Sequence, residues 1–227
     1  MMDRVIFRDQ RFVVLDKPAG LAVHPGPRGG PSVEDFFPMF SRRKDGPWLA
    51  HRLDADTAGC LVIALRKAAL IAAQAAFAEG RAGKTYWAVV SGGPSQDTGT
   101  VNAPLARRDG TAGWRMVADA SGQRAVTDWW VLGRAEGLAW LELRPHTGRT
   151  HQIRVHCASL GCPILGDPLY NPSLERGGRL HLLSRSIHLP LDPPVTATAE
   201  PPPHMHAALA ACGWSIARMT GNDRKNS

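Results

Sequence analysis

The chain has 227 residues, 44% of them hydrophobic and 21% charged, which is the range of a soluble globular protein with a real core. Its 27 Lys and Arg against 20 Asp and Glu leave a net charge of +7, carried mostly by Arg, and favour a nucleic acid or another anionic surface as partner. The opening MMDRVIFRDQ carries charges where a secretory leader needs an apolar core, and the run AALIAAQAAFA (68–78) is too short and Ala-rich to span a bilayer. A membrane protein is therefore not expected. Cys60, Cys157, Cys162 and Cys212 show no CxxC spacing and are expected to be reduced thiols in a cytoplasmic protein.

In chain order, RVIFRDQRFVVLDKPAG (4–20) holds two short β-like runs, the second ending at Lys17 and Pro18. HPGPRGGPS (24–32) is a loop by its Pro and Gly content. LVIALRK (61–67) reads as a buried strand, and residues 68–80 as a helix ended by a left-handed Gly80. KTYWAVVSG (84–92) alternates as a strand, with Tyr86, Ala88 and Val90 on one face. Strands at 124–133 and 138–144 follow, with a loop expected at 104–115 before them. A helix is expected from an N-cap at Thr150 to Gly161, its Ile153, Cys157 and Leu160 facing the core and Arg154 at the core boundary. LHLLSRSIHLP (180–190) reads as a strand, LDPPVTATAEPPPH (191–204) as a connector, and 205–212 as a short helix. His204 and His206 are expected to be exposed, and of Trp129 and Trp130 one ring should enter the core. Many strands and few helices, without strict βαβ alternation, predict an α+β fold on a mixed, largely antiparallel sheet. One domain over 1–215 and a disordered polar tail over 216–227 are expected.

Two stretches concentrate chemistry. HTGRTHQIRVH (146–156) carries three His at intervals of five, a spacing that scatters side chains over different faces and argues against a metal site. Arg149, His151 and Arg154 instead form a basic helix start that favours an anion, although a solvated basic face explains the segment alone. HRLDADTAGC (51–60) packs Arg52, Asp54 and Asp56 together. Its DxD resembles the nucleophile loop of haloacid-dehalogenase-type phosphohydrolases. That reading fails, because His51 and Arg52 interrupt the apolar lead-in and Ala58 stands where Thr or Val is needed. In an extended approach Arg52 and Asp54 share one side and His51 and Leu53 the other. Asp54 beside a permanent cation fits a carboxylate nucleophile and a structural ion pair equally well.

Taken together, LDKPAGLAVHPG (15–26), HRLDADTAGCLVIA (51–64), KTYWAVVSG (84–92), HTGRTHQIRVHCASLGCPILGDPLY (146–170) and, more loosely, LHLLSRSIHLP resemble the RluA-like family of pseudouridine synthases, in family order. The resemblance implies isomerisation of a uridine in a tRNA or rRNA stem-loop by base flipping, without cofactor or metal, by a monomer that does not act on DNA. It implies that Asp54 starts the reaction, by attack on sugar or base or by assisting deprotonation. It also implies that Tyr86 packs on the flipped base, Arg154 pairs with Asp54, Arg52 enters the RNA where the uridine leaves, and Ile153 forms an apolar wall. His51, Thr57, Gly59, Arg149, His151 and Gln152 complete the expected substrate contacts. The chain departs from the family in having Thr57-Ala58-Gly59 for Thr-Ser-Gly and Leu182 for Ala. The stretch before residue 12 leaves no room for the small N-terminal RNA-binding domain of many relatives, so selection of RNA is expected to rest on the catalytic domain. Binding should then weaken steeply with salt. A binding-only RNA chaperone of the same fold is the main alternative, which the intact Asp54 argues against.

Overall fold

The computed structural model describes residues 1–26, 29–111, 113–171 and 178–215. Residues 27–28 of the first loop and the tail expected at 216–227 lie outside the described residues. The α+β expectation holds. Among the described residues ten strands form one mixed sheet in the order β1-β2-β4-β11-β5-β10-β9-β6, with β3 on β4 and β12 on β11. They are β1 (Val5–Arg8), β2 (Phe12–Lys17), β3 (Trp48–Leu49), β4 (Ala58–Ala64), β5 (Gly83–Ser91), β6 (Thr98–Asn102), β9 (Val126–Ala135), β10 (Leu138–Pro145), β11 (Leu182–Leu189) and β12 (Val195–Thr198). All pairings are antiparallel except β11 with β4.

That one parallel pairing positions the site. β11 lies between β4 and β5, so Gly59, Ser184 and Tyr86 fall in register across three strands. Gly59 has φ +103°, and a Cβ there would collide with the Ser184 carbonyl, which is why the exit of the HRLDADT loop carries glycine. The β4 strand is apolar throughout and wholly buried, since both faces of the sheet are covered at this point. On one face lies α2 (Lys67–Ala78), which sits close to the sheet through the small buried residues Ala69, Ala73 and Ala76. Gly80 closes it at φ +70°, as the sequence predicts.

Several expectations need correction. The segment 104–115 is not a loop but the start of a separate two-stranded ribbon, β7 (Leu105–Gly110) and β8 (Gly113–Ala118). Its Arg and Gly residues hid the alternation because most of the ribbon faces solvent. The Pro-rich connector contains β12, whose Val195 and Ala197 are buried against β11. The last helix, α4 (Pro203–Ala211), begins two residues early, with Pro203 in its first turn. His204 and His206 are half-buried, each hydrogen-bonded to a backbone carbonyl. Trp129 enters the core while Trp130 lies under the Arg144 guanidinium.

The helix expected from Thr150 begins later, as α3 (Gln152–Ser159), after a short helical turn α1 (Phe37–Phe40) far upstream. Its N-cap is His151, held in the left-handed region at φ 54°. Thr150 does not cap, and no side chain caps the first turn; the Gln152 side chain instead braces the chain leading into the helix. Its Oε1 accepts the Arg149 N–H (3.0 Å) and the Thr147 hydroxyl (2.7 Å), and its Nε2 donates to Val126 O and Thr127 Oγ1. Every residue from Gln152 to Cys157 is buried. The face expected at the surface is covered by Leu105, Met116 and Tyr170 around Val155, so Arg154 is interior rather than at the boundary.

Candidate active site

The HRLDADT loop joins β3 to β4 and folds back over the strand it enters. The His51 Nε2 accepts the Val62 N–H (3.0 Å), and Leu53 is buried in the core. His51 and Leu53 therefore point inward while Arg52 is exposed and Asp54 faces a cleft, which is the expected alternation. After Asp54 the chain turns, with the Thr57 N–H donating to the Asp54 carbonyl (3.2 Å). Asp56, the second acid of the pair, is exposed and lines a different cleft with Gly166 and Arg179.

Lys17, not singled out from the sequence, locks this turn. It is fully buried, and its ammonium donates to the carbonyls of Pro18 (3.0 Å), Leu21 (2.7 Å) and Ala55 (2.7 Å). The LDKPAG segment is thus tied to the backbone immediately after Asp54. Burial pushes the Lys17 pKa down to about 8, with Asp56 and Asp54 pulling the other way. A depressed folded pKa means that the unfolded chain binds more protons between about pH 8 and the ordinary lysine value, so this group adds stability as pH rises. The stability difference between wild type and Lys17→Met should shift in favour of wild type by on the order of 3 kcal/mol from pH 7.5 to 10.5. Urea midpoints measured on both proteins across that range would show it, and a pH-independent difference would contradict the buried charge.

Opposite the loop, α3 presents Arg154. Its Nε and Nη2 make a two-pronged pair with Asp167 at 2.7 and 2.8 Å, leaving Nη1 to reach Asp54 at 3.5 Å. Asp167 is fully buried and its Oδ1 also accepts the N–H groups of Leu169 (2.9 Å) and Tyr170 (3.2 Å). Burial opposes the Arg154 charge, but the hydrogen bonds and charge of Asp167 outweigh it and raise the pKa. The guanidinium is held as a fixed cation beside Asp54.

His151 approaches the same carboxylate, its Nε2 lying 3.8 Å from Asp54 Oδ2. The Tyr170 hydroxyl accepts the Met116 N–H (3.1 Å) and lies 2.9 Å from His151 Nδ1. This contact holds the imidazole edge-on to the Tyr170 ring with Nε2 facing Asp54. Burial lowers the His151 pKa, opposed by Asp54, and keeps the ring neutral. Its face stacks on Trp114 of the ribbon at 5.4 Å. The ribbon is thus fastened to the residue that starts the helix carrying Arg154.

The cleft between these elements has a volume of about 490 Å³ including its open mouth. Leu53, Tyr86, Pro145, Ile153 and Leu182 make its apolar lining, with Arg52, Lys84 and Arg149 among the polar groups. Burial pushes the Tyr86 phenol up to about 12, a hydrogen bond with Ser184 opposing it, so the phenol is protonated at neutral pH. A flat, uncharged ring fits this space, with an anionic group at the Arg and Lys side.

The profile of the RNA pseudouridylate synthase family matches residues 11–159. The chain belongs to that family. An uncharacterized RNA pseudouridine synthase of Zymomonas mobilis is 39% identical over 203 residues, covering 88% of this chain and 93% of that protein. The ribosomal large subunit pseudouridine synthase D of the same organism is 37% identical over 74% of this chain, which spans 56% of its length. The human RNA pseudouridylate synthase domain containing 4 superposes with a TM-score of 0.78 at 29% identity, covering 93% of each chain. This protein is accordingly an isomerase acting on RNA.

Within the pseudouridine synthase fold, Asp54, Tyr86, Arg154, Arg52, Thr57, Arg149, His151, Gln152 and Ile153 all line the cleft. Gly59 does not. It lies in the strand against Ser184 and serves the backbone approach alone. His51 is absent from this cleft and lines a neighbouring one. Thr57 and Gln152 are almost fully buried, and the Gln152 amide is committed to internal hydrogen bonds. Leu182, the departure from Ala, is part of the cleft wall. The three His of HTGRTHQIRVH go to separate partners, His146 to Asp128 and His156 to Thr127 and Ala103, with His151 at the site.

Proposed function

We propose that this pseudouridine synthase isomerises a uridine in a tRNA or rRNA stem-loop, with Asp54 initiating the rearrangement. The pairing of Asp54 with a guanidinium fixed by Asp167, at the wall of a cleft sized for one base, carries this reading. A stacked uridine cannot reach a carboxylate at such a wall, so the base must leave the helix. Arg52, exposed at the rim, is placed to fill the space vacated, and Tyr86 offers its ring to the extruded base. The bond from N1 to the sugar breaks, the base turns, and C5 takes its place on the sugar. The C5 proton is lost and N1 gains one, so atoms balance without an external group.

A phenol with its pKa near 12 is a poor proton acceptor at neutral pH, so Tyr86 acts first as a wall that orients C5. The Asp54 carboxylate is the basic group beside it, and Arg154 stabilises charge that develops there. The ribbon of β7 and β8, carrying Arg107, Arg108, Arg115 and Trp114, offers a surface for choosing an RNA, and the Pro- and Gly-rich loop at 24–32 is the second candidate by its sequence. Exchange of either that left the modified uridines unchanged would remove it from this role.

The test is tritium release from RNA labelled at uridine C5, prepared from cells lacking this protein, in the presence of EDTA. Wild-type protein should release tritium, and sequencing of the product should place the new pseudouridines at unpaired positions of stem-loops. Absence of release from RNA that the protein binds would overturn the assignment.

A further inference from the structure

A second cleft of about 1080 Å³, including its open mouth, adjoins the first. Arg52, Lys84, Tyr86, Thr147, Gly148 and Arg149 line both, so they form the wall between them. Among the described residues no carboxylate lies within ion-pair reach of Arg52, Lys84 or Arg149. Lys84 Nζ donates to the Thr147 carbonyl (3.2 Å) and Arg149 Nε to that of Arg124 (3.1 Å), which holds both stems in place without neutralising them. The dividing wall is thus a saddle of three unpaired cations.

The rest of this second cleft differs. It is lined by the last turns of α2, with Gln74, Phe77 and Ala78, by Ala50 and His51, and by His146, whose Nε2 meets Asp128. Phe77 is half-buried and packs on the His51 ring at 4.9 Å. Burial, followed by the Lys84 charge, holds that imidazole neutral. Gln74 is exposed one turn before Phe77 on the same helix, with both a donor and an acceptor free to meet a base edge. An uncharged aromatic wall facing a cationic saddle matches one nucleotide, with its flat base on one side and its phosphate on the other.

Given that a target uridine occupies the first cleft, which is the reading proposed above, its neighbour is covalently fixed one phosphate away. We infer that the second cleft holds the nucleotide adjacent to the target uridine, its base against Phe77 and Gln74 and the linking phosphate on Lys84 and Arg149. Flipping then extracts a dinucleotide step rather than a lone base. The neighbouring base is read by a helix that takes no part in the chemistry.

Two measurements test this. In the first, total RNA carrying 4-thiouridine is photocrosslinked to the wild-type protein and the adducts are located by peptide mass spectrometry. Adducts on residues 74–78 are expected, and adducts confined to the first cleft and the ribbon would overturn the inference. In the second, Ala78→Trp fills the cleft from an exposed helical position without removing a contact, and Gln74→Ala removes the base-edge group. The Ala78→Trp protein should need about tenfold more RNA for half-maximal single-turnover tritium release, the worth of one stacked base, with its saturating rate within about twofold. Gln74→Ala should relax the preference for the neighbouring base across the modified sites. Both variants matching wild type in RNA dependence and site choice would overturn the subsite. Crosslinking at 74–78 by a protein that releases no tritium would instead retain the subsite and remove the isomerisation reading.

Discussion

An Asp54→Asn protein is expected to release tritium at least on the order of 10⁴-fold more slowly than wild type while binding RNA within about threefold. The amide keeps the shape of the carboxylate and its place between Arg154 and His151, so the cleft remains formed. It cannot attack a carbon or accept a proton, whichever of these opens the reaction. RNA affinity should persist, because Lys84 and Arg149, the cations offered to phosphates, do not pair with Asp54. The binding curve and the release assay on the same preparation check both halves. Release within tenfold of wild type would move the initiating role away from this residue. Asp56 offers no substitute, because it faces another cleft.

How far the sequence could be read divides along a physical line. Periodic elements were legible wherever one face meets the core, as in β5, β10 and α2. The ribbon was not, because its strands lie off the main sheet and expose most of their side chains. Nor was β12, whose four residues sit between prolines. The cleft residues Asp54, Tyr86 and Arg154 came from the family resemblance, and the fold brings them to one place. Their supports were missed for a common reason. Lys17 bonds only to backbone carbonyls, including one 38 residues away, and carbonyls leave no trace in residue type. Asp167 lies inside the GDPLY stretch, 13 residues beyond Arg154, after the helix has ended and the chain has turned at Gly166 (φ +74°). A spacing rule for one helix or strand cannot connect them. A clearer signal was the residue type itself, since Asp beside a turn-forming Gly often caps the following N–H groups.

Asp167 also tests how the site is held together. Asp167→Asn is expected to destabilise the protein by about 3–5 kcal/mol, because it leaves a buried guanidinium without its counter-charge. The amide oxygen can still receive the Leu169 and Tyr170 N–H groups, but its NH₂ then faces the Arg154 Nε–H, donor against donor. For a chain of this size the loss corresponds to a fall in Tm of roughly 6–20 °C. Asp54, at 3.5 Å, is the nearest remaining anion, and a shift of Arg154 toward it would spare some stability while displacing the carboxylate from the base. Activity should therefore fall in the single variant even below its Tm. Adding Arg154→Met removes the orphaned cation and should recover more than half of the lost stability, since an apolar replacement of a buried ion pair is often close to neutral. It should recover none of the activity, because the fixed cation beside Asp54 is then gone. Chemical denaturation and tritium release on the two proteins separate these effects. A double variant as unstable as Asp167→Asn would show that Asp167 serves the turn at Leu169 and Tyr170 rather than the charge of Arg154.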